Sequence, residues 1–136
     1  MDTSHFEWKD EYSVKVAEID EQHQKLIKII DDLYQALMAG TAKASLPEIF
    51  GRLNDYVIYH FATEEKYFKE FEYKDAPMHI SQHEKYKIDI AKMEKDADNG
   101  ALDVYELLFY LENWWINHIL DSDKKYSEFF NEHGLH

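Results

Sequence analysis

Five of the eight histidines in this sequence lie in line with apolar residues at helical spacing. Residues three or four apart share one helix face, so each of these imidazoles is predicted to face the core or its edge. A single core histidine is more often hydrogen-bonded than metal-bound, but five buried imidazoles without partners would cost several kcal/mol in total. We therefore predict that they form a metal site, and the five residues are His23, His60, His79, His83 and His118.

Two carboxylates extend this pattern. Glu64 follows His60 by four residues, the same spacing that separates His79 from His83, so each pair can converge on one target one helical turn apart. Asp123 follows His118 by five residues, which corresponds to about 140° of rotation on a regular helix. We expect the helix to end, tighten or bulge between these two residues, within 119–122. On geometry alone, the neighbouring Asp121 is a competing candidate.

The kinds of side chain narrow the choice of metal. The sequence contains no cysteine, so thiolate sites and disulfides are excluded. Imidazole and carboxylate ligands suit Fe, Zn, Mn, Cu or Ni and disfavour Ca and Mg. Seven ligands exceed the four of a tetrahedral zinc site and suit two metals bridged by carboxylates. Charge runs such as Glu64-Glu65-Lys66 are predicted to be mostly solvated, with Glu64 as the exception, and Glu65 is expected to point away from the site.

Four segments with helical periodicity must position these residues. Gly40 and Asn99-Gly100 are typical helix ends, and Ser45 and Asp103 begin sequences typical of helix starts. The short connections predict neighbouring antiparallel helices. We predict an all-α fold, an antiparallel up-down-up-down four-helix bundle forming one domain over residues 1–136. An extended N-terminal arm is expected over 1–19, and helices over about 20–39, 45–71, 77–98 and 103–130.

Composition limits the classes of function. The 136 residues carry a net charge of −13, which argues against binding to nucleic acid or to anionic membranes. Hydrophobic residues make up 45%, too many for a disordered chain. No stretch approaches the roughly 20 apolar residues of a membrane-spanning helix, and residues 1–10 lack the apolar region of a secretory signal. We expect a cytoplasmic protein without membrane insertion.

Taken together, the motifs resemble those of the hemerythrins, in particular the bacterial single-domain type. The resemblance covers nearly the whole chain, including Trp8 and Tyr12-Ser13-Val14 in the arm. It implies a non-haem di-iron site, cycling between Fe2+ and Fe3+, that reversibly binds dioxygen. The motifs that carry it are Ile19-Asp20-Glu21-Gln22-His23, His60-Phe61-x-x-Glu64-Glu65, His79-x-x-x-His83 and His118-Ile119-x-x-x-Asp123.

The resemblance also implies a role for each ligand. One iron would be held by His79, His83 and His118, and the other by His23 and His60. Glu64 and Asp123 would bridge the two irons together with an oxo or hydroxo group. Dioxygen would bind at the two-histidine iron, in an apolar pocket with walls formed by Phe61, Trp114, Trp115 and Ile119.

One position departs from the family pattern. Three residues before the last histidine ligand, the family usually has a leucine that lines the dioxygen pocket, and this chain has Trp115. A larger, planar side chain would narrow the pocket or force it to open elsewhere. The change bears on dioxygen affinity and on the lifetime of the oxygenated form, while the metal ligands are unaffected.

The expected function is therefore dioxygen binding for transport, storage or delivery, without enzymatic activity and with a possible redox or O2-using protein partner. One alternative is a dioxygen or redox sensor domain of a larger signalling protein. A second is a di-iron protein acting on peroxide or nitric oxide. Ferritin-like enzymes use two Glu-x-x-His motifs, and the absence of this motif from the four predicted helices argues against ferroxidase chemistry.

Overall fold

The structure is a computed structural model and describes residues 7–136. This part of the chain is helical and contains no strand, which confirms the predicted all-α bundle. Within it, no helix combines the length and apolar character needed to cross a membrane. The helices are α1 (Ala17–Ala39), α2 (Ala42–Tyr56, a π-helical segment Val57–Phe61, then Ala62–Phe71), α3 (Ala76–Asp98), α4 (Val104–Trp114 and a π-helical segment Trp115–Asp123) and α5 (Ser127–Glu132).

Local sequence explains most of the helix ends. Gly40 closes α1 in the left-handed conformation, at a φ of 75°, and its N–H reaches the carbonyls of the last turn. The Asp103 carboxylate caps α4 by accepting a hydrogen bond from the Tyr105 N–H at 3.0 Å. The start of α2 differs from the prediction. It begins at Ala42, because Ser45 already bonds back to the Thr41 carbonyl through both its N–H and its hydroxyl.

Two apolar clusters fill the bundle, and both contact the buried histidines. The larger cluster joins α1, α2, α3 and α4 through residues such as Leu33 and Leu107. Its Phe61 ring stacks on the His83 ring, with centroids 3.8 Å apart. The smaller cluster includes Phe68, whose ring packs edge-on against His79 at 4.8 Å. Aromatic packing from the two clusters thus helps to fix the orientation of His83 and His79.

The N-terminal arm lies along the bundle, as an extended segment interrupted by a short 3-10 turn at Asp10–Tyr12. Val14 and Val16 are completely buried in the smaller cluster. The Asp20 carboxylate accepts hydrogen bonds from the Ser13 hydroxyl and from the Val14 N–H, the latter at 2.8 Å. Residues 17–19 of the predicted arm belong to α1, and residues 1–6 lie outside the described part of the chain.

Candidate metal centre

The seven side chains named from the sequence meet in the interior of the bundle. All are buried, and none is more than 4% exposed. Each of the four long helices contributes at least one of them. They are His23 on α1, His60 and Glu64 on α2, His79 and His83 on α3, and His118 and Asp123 on α4.

A π-helical segment brings Asp123 onto the same side of α4 as His118. In a π-helix the backbone hydrogen bonds join residues five apart, so side chains at this spacing lie above one another. The segment Trp115–Asp123 contains both residues and the stretch 119–122 where the irregularity was expected. Asp121, the competing candidate, is 67% exposed and forms an ion pair with Lys125 instead.

The donor atoms fall into two sets that share both carboxylates. Within each set, all the donor atoms lie within 4.8 Å of one another. One set has three histidines and the other has two. The first set is Glu64, His79, His83, His118 and Asp123, and the second is His23, His60, Glu64 and Asp123.

Asp123 faces both sets with different oxygens. Its Oδ1 lies 2.8 Å from His79 Nε2 and 3.0 Å from His118 Nε2. Its Oδ2 lies 2.9 Å from His23 Nε2 and 3.6 Å from His60 Nε2. Asp123 therefore presents one oxygen to each donor set.

Glu64 also lies between the sets. Its Oε1 is 3.0 Å from His60 Nε2 and 3.1 Å from His83 Nε2. Although these contacts are short, both Glu64 oxygens lack a hydrogen-bond partner with suitable geometry, as do Asp123 Oδ1 and the Nε2 atoms of His79, His83 and His118. Buried polar atoms left unpaired in this way are costly. A pair of cations at this point would satisfy them, so the residues present fit a two-metal centre.

Three of the histidines are oriented by hydrogen bonds from their other ring nitrogen. His60 Nδ1 donates to Gln22 Oε1 at 2.8 Å, and His118 Nδ1 donates to Gln82 Oε1 at 2.7 Å. An imidazole that donates through Nδ1 keeps the Nε2 lone pair free for a metal. Neither glutamine was predicted to have a role, yet each directly precedes a histidine of the site. Adjacent helical residues differ by about 100°, so each glutamine can reach a histidine on the neighbouring helix.

Glu65 provides the third of these outer hydrogen bonds, and the prediction that it points away from the site was wrong. Its Oε2 accepts from His83 Nδ1 at 2.9 Å, and its side chain is only 30% exposed. The sequence pattern failed here because the side of α2 that carries Glu65 faces α3, which covers it.

The buried carboxylates and imidazoles shift one another's pKa values. Burial alone would lower the pKa of His60, but the Glu64 and Asp123 carboxylates outweigh it and raise this pKa to about 9. For the same reason, the pKa of His79 rises to about 10. Burial and mutual repulsion would raise the pKa values of Glu64 and Asp123, but the surrounding histidines hold both well below their usual range. Both carboxylates are thus ionised at neutral pH, as metal ligands must be.

The four residues expected to line the dioxygen pocket contact the candidate ligands or lie beside them. The Trp114 ring stacks on the His118 ring, with centroids 3.9 Å apart. Trp115 is 1% exposed and packs edge-on against His23, at 6.0 Å. Ile119 is completely buried next to His118 in the chain. Phe61 stacks on His83 of the three-histidine set, and its ring centroid lies 5.9 Å from that of His60 in the two-histidine set.

Helical bundles that bind metals use inward-facing histidines and carboxylates from several helices. The described part of this chain has these features and falls in that class. Comparison with known proteins specifies the family. The model of the hemerythrin HHE cation binding domain matches residues 14–130. The chain therefore belongs to the hemerythrin family.

Individual relatives agree with this assignment. A hemerythrin-like protein from Naegleria gruberi is 32% identical over 123 residues, covering 90% of this chain and 92% of the relative. A bacteriohemerythrin from Clostridium acetobutylicum is 28% identical over 129 residues, covering 89% and 98%. Among solved structures, a leucine-to-alanine variant of hemerythrin superposes with a TM-score of 0.83 at 25% identity, covering 92% of this chain and 96% of that one.

Proposed function

We propose that the chain binds dioxygen reversibly at a non-haem di-iron centre, as a carrier, store or donor of dioxygen and without catalytic turnover. His79, His83 and His118 would hold one iron, and His23 and His60 the other. Glu64 and Asp123 would bridge them, together with an oxo or hydroxo group derived from solvent. Two ferrous ions at such a site can supply one electron each to a bound dioxygen molecule and recover both on its release.

The observation that carries this proposal is the inequality of the two donor sets. They share Glu64 and Asp123, but one set adds three imidazoles and the other only two. An ion in the smaller set would have one protein ligand fewer and would therefore keep a position for an exchangeable small molecule. Two equally complete sets would favour a structural role, as closed sites do for zinc.

The residues around the smaller set suit a neutral, apolar ligand. Trp115 is buried and packs edge-on against His23 of this set, where its indole would exclude water and anions. Displacement of the bound ligand by anions would promote irreversible oxidation of the metal, so this exclusion favours reversible binding. The Gln22 carboxamide holds His60 in the tautomer that a metal requires.

Dioxygen titration of the iron-loaded, anaerobically reduced protein tests the proposal. We expect a visible charge-transfer absorption that develops with dioxygen and disappears when dioxygen is removed, over repeated cycles. The starting spectrum should return after each cycle, because the electrons return to the irons.

Two other results would contradict the proposal. Rapid, complete oxidation without a reversible spectral change would favour the sensor alternative. Sustained consumption of peroxide or nitric oxide at many equivalents per chain would favour the enzymatic alternative. Asp121→Asn, a change of an exposed neighbour of the site, provides a control that should cycle like the wild-type chain.

A further inference from the structure

We propose that Glu65 is a positioning residue that makes the two subsites chemically unequal. Its carboxylate would orient His83 and raise the electron density that this imidazole donates. The three-histidine subsite would then bind its metal more tightly and have the lower reduction potential. The inference deepens the proposed function and rests on its two-metal centre.

The three outer hydrogen bonds differ in the charge of their acceptors. The three donor–acceptor distances are nearly equal, from 2.7 to 2.9 Å. The acceptors differ in charge, since Gln22 and Gln82 present neutral carboxamides and Glu65 presents a carboxylate. Among these three outer partners only Glu65 is charged, and it accepts a hydrogen bond from a histidine of the three-histidine set.

The orientation of the Gln22 carboxamide is fixed by a further contact. Its Nε2 donates to the Thr63 hydroxyl at 3.0 Å, and that hydroxyl donates to the Tyr59 carbonyl at 2.7 Å. The oxygen of Gln22 must therefore face His60. The contrast between Gln22 and Glu65 is thus one of charge, since both groups accept a hydrogen bond from an Nδ1–H.

The Glu65 bond has little freedom to rearrange. The His83 ring stacks on Phe61 with 3° between the ring planes, and its Nδ1–H points toward Glu65 on α2. The Glu65 carboxylate can only accept, so His83 must donate through Nδ1 and present Nε2 to the site. Glu65 therefore fixes both the tautomer and the ring orientation of His83.

A carboxylate in this position affects the metal through its ligand. Hydrogen bonding from a metal-bound imidazole to a carboxylate raises the basicity of the imidazole, and loss of such partners typically lowers metal affinity about 10–100-fold. A more basic ligand stabilises a ferric ion more than a ferrous ion. An iron held by His83 would therefore favour the ferric state more than an iron in the other subsite.

The test compares Glu65→Gln with wild-type protein, because glutamine preserves the size of the side chain and its ability to accept a hydrogen bond. Apoprotein is titrated with Co2+ in competition with a chelator, and d–d absorption reports the two subsites. We expect the wild-type chain to bind two ions. In the variant, the affinity for the tighter ion should fall about tenfold, with the other unchanged within about twofold.

The reduction potential of the iron-loaded protein gives a second measurement, which a purely structural role would not change. A loss of affinity that is tenfold larger for ferric than for ferrous iron raises a one-electron potential by about 59 mV. We expect this increase for the first oxidation step in Glu65→Gln.

Glu84→Gln is the matched control. It removes one negative charge beside His83 in the chain, but the Glu84 side chain is 58% exposed and pairs with Lys87. This variant should keep both affinities and both potentials. Equal effects of the Glu65 and Glu84 variants would show that net charge alone is responsible and would overturn the inference.

The reciprocal variant Gln82→Glu covers the case in which Glu65→Gln does not fold. A carboxylate beside His118 should tighten the three-histidine subsite about tenfold, and unchanged affinity would overturn the inference. A wild-type chain that binds two ions, with no effect of either substitution, would overturn the inference but leave the proposed function intact. A wild-type chain that binds a single ion would overturn both.

Discussion

Asp123 is the side chain on which the two halves of the candidate centre converge. Its two oxygens face different donor sets, so a single carboxylate contributes to both proposed metals. Each histidine of the site, in contrast, contributes its Nε2 to one donor set only. The difference can be measured.

Asp123→Asn is expected to weaken both metal-binding events, each by at least about tenfold, because the substitution removes the charge from both sets. His23→Ala should weaken only one of them. Equilibrium titration of the apoproteins with Co2+ measures the two affinities separately. A variant of Asp123 that loses only one ion would contradict the bridging assignment.

Trp115 occupies a second decisive position. Its indole is buried between His23 and Tyr12 of the arm, with the Tyr12 ring edge-on at 5.3 Å. The tryptophan therefore links the proposed dioxygen pocket to a segment that does not contribute ligands. A leucine at this position would fill only part of the space that the indole occupies.

Trp115→Leu is expected to destabilise the apoprotein by about 2 kcal/mol, because part of the vacated volume remains a cavity. The wider pocket should also admit water and anions, so the oxygenated form of the iron-loaded protein should oxidise faster. Denaturant unfolding and the decay of the oxygenated absorption measure the two effects. Ile116→Ala, at a 55% exposed position on the same helix, is the control and should change neither.

At the level of elements, the sequence predicted the fold and the convergence of the seven side chains for one physical reason. Helical periodicity fixes which residues share a face, and short connections fix which helices are neighbours. The five-residue spacing of His118 and Asp123 also indicated an irregular turn, which the structure contains as a π-helical segment.

The parts that sequence did not reveal depend on neighbouring elements. Glu65, Gln22 and Gln82 acquire their roles from a histidine on another helix, and helical periodicity within one segment carries no information about that contact. The start of α2 at Ala42 was missed for another reason. Ser45 resembles a capping residue, but its hydroxyl bonds backward to Thr41 inside a helix that has already begun.

The N-terminal arm is the element whose attachment depends most clearly on one side chain. Asp20→Ala removes the acceptor for Ser13 and for the Val14 N–H, and we expect a loss of about 2 kcal/mol in unfolding free energy. Amide exchange should accelerate in Val14 and Val16 and much less in α3. Glu21→Ala, an exposed position next in the chain, is the control. Unchanged exchange at Val14 would contradict this account of the arm.

At the level of the whole molecule, the metal-free protein carries ionised groups in its core, and its stability should depend on pH. In the folded protein the pKa values of His60 and His79 are raised from the ordinary 6.5 to about 9 and about 10. The folded state therefore binds protons more tightly at these histidines, and the resulting stabilisation is fully present below pH 6.5. This contribution is lost as the pH rises through the folded-state values. The pKa values of Glu64 and Asp123 are lowered in the folded protein, so these carboxylates stabilise the folded state when they are ionised. This stabilisation is lost as the pH falls and the carboxylates become protonated.

We therefore expect the unfolding free energy of the apoprotein to fall between about pH 7 and about pH 10. Zinc-loaded protein should lose much less over this range, because its coordinated imidazoles are already neutral. Denaturant unfolding of both forms at several pH values measures the difference. Parallel pH curves for the two forms would contradict the assignment of these histidines as ligands.

Seven side chains are thus proposed to hold two irons in unequal environments. Mössbauer spectroscopy of anaerobically reduced protein loaded with iron-57, combined with metal analysis, tests it most directly. We predict two irons per chain and two ferrous signals of equal intensity, of which only one changes when a small anion is added under anaerobic conditions. A single iron per chain, or two signals that respond identically, would contradict it.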